Sequence, residues 1–162
     1  MKTLHLVRHA KSDWSKPGQS DFDRGLNSRG ERDAPFMAEK FVSNAKHPDV
    51  ILASPAIRAK ITATKFHEAL GKKNDIIFVD SIYEARWDDL LRIVFNLKNE
   101  WECVAIFGHN PGFSQLSTYL TGEVVEMPTC ARVTIEFDTN DWNLITGNSG
   151  KLLKFDFPKN YL

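Results

Sequence analysis

Five residues whose side chains are suited to acid, base and anion chemistry follow short apolar runs of the sequence. In chain order they are Arg8, His9, Arg58, Glu84 and His109. Guanidinium groups bind phosphate oxygens through paired, charge-assisted hydrogen bonds that lysine does not form. An imidazole that neighbouring positive charge keeps neutral can act as a nucleophile. Together these residue types favour chemistry on a phosphoryl group.

The positions of these residues suggest a separate task for each. Arg8 and Arg58 are predicted to bind the phosphoryl oxygens, and Arg58 also lies near a helix N-terminus, whose free N–H groups attract anions. His9 is the predicted nucleophile because it directly follows both a strand and Arg8. His109 is predicted to stabilise the transition state by a hydrogen bond to an equatorial oxygen. Glu84, as a partly buried carboxyl, would protonate the leaving group.

Several neighbouring residues have both a functional and a structural interpretation. Asp88 and Asp89 could share the proton-donor role, although acids in the first turn of a helix are also favoured by the helix dipole. Asn110 could bind the phosphoryl group and orient the substrate, or could serve only the turn in which it stands. Trp14 and Trp87 could line a cleft or pack in the core.

The other histidines are expected to be structural. His5, His47 and His67 are each isolated, and a lone histidine is usually a hydrogen-bonded structural residue. His5 and His9 share strand parity, but no carboxylate or Cys nearby completes a metal site. We therefore expect no metal and no cofactor.

The elements that must position these residues follow from the apolar pattern. Six short apolar runs alternate with helix-like segments, which predicts an α/β domain with a mostly parallel sheet of about six strands between two layers of helices. The predicted strands are Thr3–Val7, Val50–Ala53, Ile76–Val79, Cys103–Phe107, Val133–Phe137 and Leu152–Phe157. We expect the first four to be fully buried. Ligands bind beyond the carboxyl ends of strands in such sheets, where the reactive residues would gather.

Four helices are expected, and the first has conflicting start signals. Ser28 with Glu31 fits a capping box, Asn27 is a rival cap, and Pro35 predicts a kink or a late start. The second helix is predicted to have Ser54 as its N-cap and Pro55 at its first position. The third is predicted to run near Trp87–Leu97, and the fourth to follow Pro111-Gly112. A polar stretch from Asp138 to Gly150 suits a hairpin-like connection.

Length and charge limit the classes of protein. The chain has 162 residues, enough for one domain over 1–162, and its 21 basic and 21 acidic residues cancel (21 − 21 = 0). A zero net charge disfavours nucleic-acid and anionic-membrane binding. The apolar run at the N-terminus is too short for a signal peptide, so we expect a cytoplasmic protein. We also expect a monomer. Cys103 and Cys130 are expected to be buried core residues.

Four motifs in this order resemble those of the histidine phosphatase superfamily, also called phosphoglycerate mutase-like. They are Leu6–Ser15, Ser54–Ala59, Tyr83-Glu84 and Gly108–Gly112. The short chain, Leu26–Gly30 and Met127–Cys130 are most similar to the SixA branch of phosphohistidine phosphatases. Ala10 departs from the family by replacing the glycine of the commonest signature.

The resemblance implies a phosphoglycerate mutase-like fold and a phosphatase that needs no metal. His9 would attack phosphorus in line to give a phosphohistidine intermediate, from which water releases orthophosphate. Ser12 stands where many members have threonine, which implies a hydroxyl contact to phosphate. The implied substrate is phosphohistidine in a protein, such as a histidine phosphotransfer domain, or a small phosphomonoester.

Two further function classes compete with this interpretation. A small-metabolite mutase needs a closed site, and the segment between Phe78 and Cys103 leaves little room for a lid. A non-catalytic module that binds phosphorylated ligands would need the arginines but neither His9 nor Glu84.

Overall fold

The computed structural model describes residues 1–162 and contains one six-stranded sheet. The strands are β1 (Lys2–Arg8), β2 (Val50–Ala53), β3 (Ile76–Phe78), β4 (Cys103–Gly108), β5 (Arg132–Phe137) and β6 (Gly150–Asp156). Their order is β3-β2-β4-β1-β5-β6. Strands β1 to β4 are parallel, β5 is antiparallel to β1, and β6 is antiparallel to β5. The prediction of a mostly parallel sheet of about six strands is confirmed.

Helices cover both faces of this sheet. They are α1 (Ser28–Asn44), α2 (Ile57–Ala69), α3 (Trp87–Phe95) and α4 (Gly112–Thr121). Side chains of a strand alternate between its two faces. Leu4 and Leu6 of β1 therefore join the core cluster under α3 and α4, whereas Val7 joins the cluster under α1 and α2. Burial on both faces explains why β4 consists only of apolar residues and glycine.

Strand β3 corrects one prediction. We expected it to be fully buried, but Ile77 and Phe78 are each 42% exposed. It lies at the edge of the sheet and pairs only with β2. An isolated apolar run does not reveal whether a strand is central or at an edge, because that depends on the strand order.

Helix α1 settles the competing start signals. The Asn27 side chain accepts a hydrogen bond from the Gly30 N–H at 2.9 Å, so Asn27 is the N-cap and the capping box at Ser28 is wrong. The late start expected from Pro35 is also wrong, because the helix continues through this residue. Pro35 and Glu31 are both exposed, so water can reach the Glu31 carbonyl that loses its intrahelical donor.

Helix α2 begins two residues later than predicted. Its first residue is Ile57 and not Pro55, and its N-cap, Ala56, makes no side-chain cap. Ser54 accepts the Ala56 N–H at 3.2 Å and makes a second bond to a histidine ring. Gly71 follows the helix with a φ of 82°, which only glycine adopts without strain.

The other elements agree with the predicted pattern. Helix α4 begins at Gly112, and α3 starts at Trp87 but ends at Phe95, two residues before Leu97. The polar stretch between β5 and β6 connects an antiparallel pair, as expected. Cys103 and Cys130 are free and fully buried, also as expected. No helix has both the length and the apolar character to cross a membrane.

Candidate active site

The site forms where three neighbouring strands end. Strands β1, β4 and β2 are adjacent and parallel, and their last residues are in register, with Arg8 opposite Gly108. The residues that follow these strands therefore meet at one edge of the sheet. His9 follows β1 and His109 follows β4, and their ring centroids are 5.2 Å apart. The structure thus brings the two predicted histidines together.

The two ring nitrogens of His9 have different partners, a backbone carbonyl for Nδ1 and the Arg58 guanidinium for Nε2. Its Nδ1 lies 2.7 Å from the Ala10 carbonyl oxygen, which can only accept, so Nδ1 bears the proton. Arg58 Nε lies 3.4 Å from Nε2 and donates to it, so Nε2 holds the free lone pair. Burial is the largest cause that lowers the pKa of His9 to about 3, and the charges of His109 and the arginines lower it further. The ring is therefore neutral near pH 7.

Arg58 and Arg8 form the cationic part of the site. Arg58 is 8% exposed, and each of its terminal nitrogens donates to Asp21, Nη1 to the backbone carbonyl at 2.6 Å and Nη2 to the carboxylate at 2.9 Å. Arg8 donates from Nη1 to the Met127 carbonyl at 2.9 Å. Burial, followed by the charge of Arg58, lowers the pKa of Arg8. The two guanidinium groups repel each other, and an anion bound beside both would relieve that repulsion.

His109 is held by a hydroxyl that leaves half of the ring free. Its Nε2 lies 2.8 Å from Ser54 Oγ. Because Ser54 Oγ already accepts the Ala56 N–H, its own proton can be donated to Nε2, and Nδ1 then bears the ring proton. Burial is the largest cause that lowers the pKa of His109 to about 4, and Arg58 lowers it further.

Two buried nitrogens of the site have no hydrogen-bond partner in the protein. They are Arg8 Nε and His109 Nδ1. A buried polar atom without a partner is rare in a native protein and calls for a ligand or water. Both atoms can donate, and they belong to residues next to His9, Arg8 in the chain and His109 in space. The arrangement fits an anion with several acceptor oxygens.

Asp21 is the site residue that sequence reasoning missed. Besides Arg58, its carboxylate accepts the Tyr83 hydroxyl at 2.8 Å and lies 3.7 Å from Arg24 Nε. Partial burial raises the pKa of Asp21, but the hydrogen bonds from Tyr83 and Arg58 and the arginine charges lower it more, so it falls below its ordinary value. Nothing in the spacing distinguishes Asp21 from Asp13, because Arg58 and Tyr83 lie 37 and 62 residues away from Asp21 in the chain.

Glu84 lies in the same region but corrects one expectation. We predicted a partly buried carboxyl, whereas the residue is exposed. It follows Tyr83, whose ring packs edge-on against His109 at 5.6 Å between centroids. The backbone of Glu84 has a φ of 56°, a left-handed conformation that is unfavourable for a residue with a Cβ. Such strained positions are concentrated at functional sites.

The rival acids Asp88 and Asp89 have structural partners. Asp89 Oδ2 accepts the Arg86 N–H at the start of α3, and its other oxygen lies 3.2 Å from Arg92. Asp88 pairs with Arg86 at 3.2 Å. Their positions match the helix N-terminal interpretation of these acids.

Ser12 and Asn110 each make hydrogen bonds to other residues of the protein. Ser12 is 7% exposed, and its Oγ accepts the Trp14 indole N–H at 2.9 Å, which leaves its own proton free. Trp14 is exposed and stacks on the Arg24 guanidinium at 3.7 Å. Asn110 donates to the Met127 carbonyl, the same oxygen that Arg8 uses. Asn110 therefore braces the segment that holds Arg8.

His5 occupies a structural position below the site. Its Nε2 donates to the Lys46 carbonyl at 2.8 Å, and its Nδ1 lies 2.8 Å from the Thr134 hydroxyl. Both nitrogens therefore have hydrogen-bond partners within the protein. No group of three or more His, Cys, Asp or Glu side chains is arranged to hold a metal ion.

Comparisons with known proteins identify a family and a fold. The chain matches the model of the histidine phosphatase superfamily (branch 1) over residues 4–96. An uncharacterized chloroplastic protein of Arabidopsis thaliana is 27% identical over 158 residues, which cover 92% of this chain and 72% of that protein.

Solved structures share the fold over nearly the whole chain. A candidate phosphohistidine phosphatase SixA from Agrobacterium tumefaciens has a TM-score of 0.84 at 29% identity and covers 97% of this chain and 98% of its own. The protein histidine phosphatase SixA in complex with tungstate has a TM-score of 0.83 at 20% identity and 99% coverage of both chains, a likeness that concerns the fold. The predicted phosphoglycerate mutase-like fold is confirmed.

Proposed function

Since the chain belongs to the histidine phosphatase superfamily, branch 1, we propose that it is a phosphatase that forms a phosphohistidine intermediate on His9. The observation that supports this most directly is the state of the His9 ring. Its Nδ1 proton is committed to the Ala10 carbonyl, and burial keeps the ring neutral. The lone pair of Nε2 is therefore available to attack phosphorus beside two arginines.

The first half of the reaction transfers the phosphoryl group to the protein. Nε2 of His9 attacks phosphorus in line, and the bond from phosphorus to the leaving group breaks on the opposite side. Arg58, Arg8 and His109 would bind the three equatorial oxygens, on which negative charge increases. Ser12 and Asn110 are proposed to add neutral hydrogen bonds. The leaving group would take its proton from Glu84.

The second half returns His9 to its starting state. Glu84, now a carboxylate, would take a proton from a water molecule that attacks phosphorus. The bond between Nε2 and phosphorus breaks, and orthophosphate leaves. No step of this scheme requires a metal or a cofactor.

We propose phosphohistidine in a protein as the substrate, with a small phosphomonoester as the alternative. Between Phe78 and Cys103 the chain forms only one turn of 3₁₀-helix and the nine-residue α3, so no long segment covers the cleft. Access from solvent suits a side chain of another protein. It does not suit a mutase, which must keep water from its phosphorylated intermediate.

The decisive experiment follows phosphate on His9. In excess chelator the protein should hydrolyse an aryl phosphate, be inhibited by vanadate, and form an acid-labile phosphoprotein. His9→Ala should abolish both turnover and label, whereas His47→Ala, at an exposed histidine outside the site, should preserve them. A label that persists in His9→Ala, or complete dependence on added metal, would contradict the proposed mechanism.

The substrate is tested by comparing catalytic efficiencies. We expect kcat/KM on a histidine phosphotransfer domain phosphorylated with phosphoramidate to exceed the values for a panel of sugar phosphates. The reverse order would favour a small-metabolite phosphatase and leave the chemistry at His9 unchanged.

A further inference from the structure

A groove beside α4 leads away from the candidate active site. Its volume is about 1080 Å³, and Asn110 lines one end of it. One side is the exposed face of α4, and the others are Trp87 and the segment that follows α4. We call it the α4 groove and define it by Trp87, Ser114, Gln115, Thr118, Tyr119 and Val124.

The α4 groove is held open by hydrogen bonds within the protein. The Val125 N–H donates to Thr118 Oγ1 at 3.0 Å, and the Met127 N–H donates to Ser114 Oγ at 2.9 Å. Ser114 Oγ in turn donates to Asn110 Oδ1 at 2.8 Å. These bonds fix the segment after α4 against the helix, so a partner would bind a preformed surface.

The α4 groove combines apolar side chains with hydroxyls that already have partners, and Arg86 and Glu126 also line it. The hydroxyls of Ser114 and Thr118 already have internal partners and need little from solvent. Trp87 packs on Tyr119 with 4.7 Å between ring centroids, and Val124 in the same lining is 85% exposed. Aromatic side chains around a preformed depression are typical of protein-binding surfaces.

The α4 groove is continuous with the candidate site. The Met127 carbonyl, at the end of the segment that lines the groove, accepts from both Arg8 and Asn110. A ligand that fills the groove would therefore end close to Arg8. The volume exceeds the needs of a small leaving group, since pockets of roughly 300–1000 Å³ hold drug-sized ligands.

We propose that the α4 groove binds an amphipathic helix of the phosphorylated substrate protein, with the phosphohistidine at the Asn110 end. This inference rests on the proposed phosphatase function. The groove lies along a helix whose backbone groups are already bonded, so it has no strand edge to pair with an extended peptide. A helix satisfies its own backbone hydrogen bonds and needs only a groove for its apolar face. The small side chains of Ser114 and Thr118 allow close approach of a second helix.

The test compares two substrates that share the histidine leaving group, of which only one carries a protein that could occupy the groove. The probes are a histidine phosphotransfer domain phosphorylated with phosphoramidate and free phosphohistidine. Val124→Asp should lower kcat/KM on the domain about tenfold and change kcat/KM on free phosphohistidine less than about twofold. Leu144→Asp, the same change at a side chain that is 66% exposed outside the groove, should leave both values unchanged.

A second variant, Gln115→Arg, keeps the test valid if Val124→Asp does not fold. Gln115→Arg places a long side chain in the groove from an exposed helix position and should reproduce the selective loss on the domain. Equal losses on both substrates, or a loss in Leu144→Asp as large as in Val124→Asp, would overturn the docking inference. Hydrolysis of free phosphohistidine without faster hydrolysis of the domain would also overturn it. If the unsubstituted protein hydrolyses neither probe, the proposed function itself fails.

Discussion

At the residue scale, the neutrality of His9 comes mainly from its burial in the folded protein. Burial is the main cause of its low pKa, and the charges of His109, Arg58 and Arg8 act in the same direction. The hydrogen bond to the Ala10 carbonyl is the second-largest cause, and it raises the pKa and selects the tautomer. A histidine in this environment is neutral without a dedicated base to deprotonate it.

Asp21 is expected to compete with the substrate for Arg58. Its backbone carbonyl holds Nη1 whatever the side chain is, so Asp21→Asn should keep the guanidinium in place while removing a negative charge. We expect orthophosphate to inhibit this variant at roughly fivefold lower concentration, as about 1 kcal/mol of released repulsion implies. The inhibition constant of orthophosphate is the measurement.

Asp23→Asn is the matched control for this prediction, because Asp23 lies in the same loop and its carboxylate accepts from Ser20 outside the site. Its inhibition constant should not change. Weaker inhibition of Asp21→Asn would instead show that the carboxylate positions Arg58 for phosphate.

The proposed role of Glu84 as proton donor can be tested with substrates whose leaving groups differ in their need for a proton. Glu84→Gln should reduce kcat/KM on an alkyl phosphate at least about 100-fold but should affect an activated aryl phosphate little, because only the poor leaving group needs a proton. Steady-state kinetics on both esters measure this difference. Asp88→Asn serves as control, and a loss in that variant equal to the loss in Glu84→Gln would move the donor role to Asp88.

At the scale of elements, the start of α1 supports the residues that follow His9. Gly30 lies directly against Lys11, and a Cβ at position 30 would fall on the Lys11 backbone oxygen. The Asn27 N–H also donates to that oxygen at 3.0 Å. The segment that begins at His9 is therefore packed against the first turn of α1.

Gly30→Ala should consequently reduce both stability and activity. Alanine favours a helix by about 1 kcal/mol, but the clash with backbone should outweigh this, and we expect a net loss of about 1–3 kcal/mol. Urea unfolding and kcat/KM are the measurements. Gly25→Ala is the control, since its Cβ would meet only Ile61 Cδ1 at 3.9 Å. A Gly30→Ala protein as stable and active as the original would contradict the proposed support.

At the scale of the whole molecule, three buried histidines link stability to pH. Burial lowers the pKa of His5 to about 3, of His9 to about 3 and of His109 to about 4. The unfolded chain binds protons to these residues below pH about 6.5, whereas the folded protein does not. Their contribution to stability is therefore complete above that pH and decreases as the pH falls toward 4.

The free energy of unfolding should thus decrease on acidification between pH 6.5 and 4. Each histidine adds up to about 1.4 kcal/mol per pH unit to the slope. Urea unfolding at several pH values measures it, and His5→Gln should remove one proton from the dependence. A stability that is constant across this range would contradict the assignment of neutral buried histidines.

The sequence by itself determined the reactive residues and the strands that end beside them. Apolar runs are local, and in parallel strands the following residues must meet at one edge, so Arg8, His9 and His109 were predictable. The four-motif order also predicted the superfamily that the match over residues 4–96 supports.

Only the tertiary structure decided how these residues are bonded and exposed. The contact of Asp21 with Arg58, the exposure of Glu84 and the edge position of β3 each depend on parts of the chain that are distant in sequence. Hydrogen-bond partners and burial are set by long-range packing, which local residue patterns do not predict. For the same reason the sequence does not predict the α4 groove. It forms only when the fold brings together α4, Trp87 and the segment around Val124.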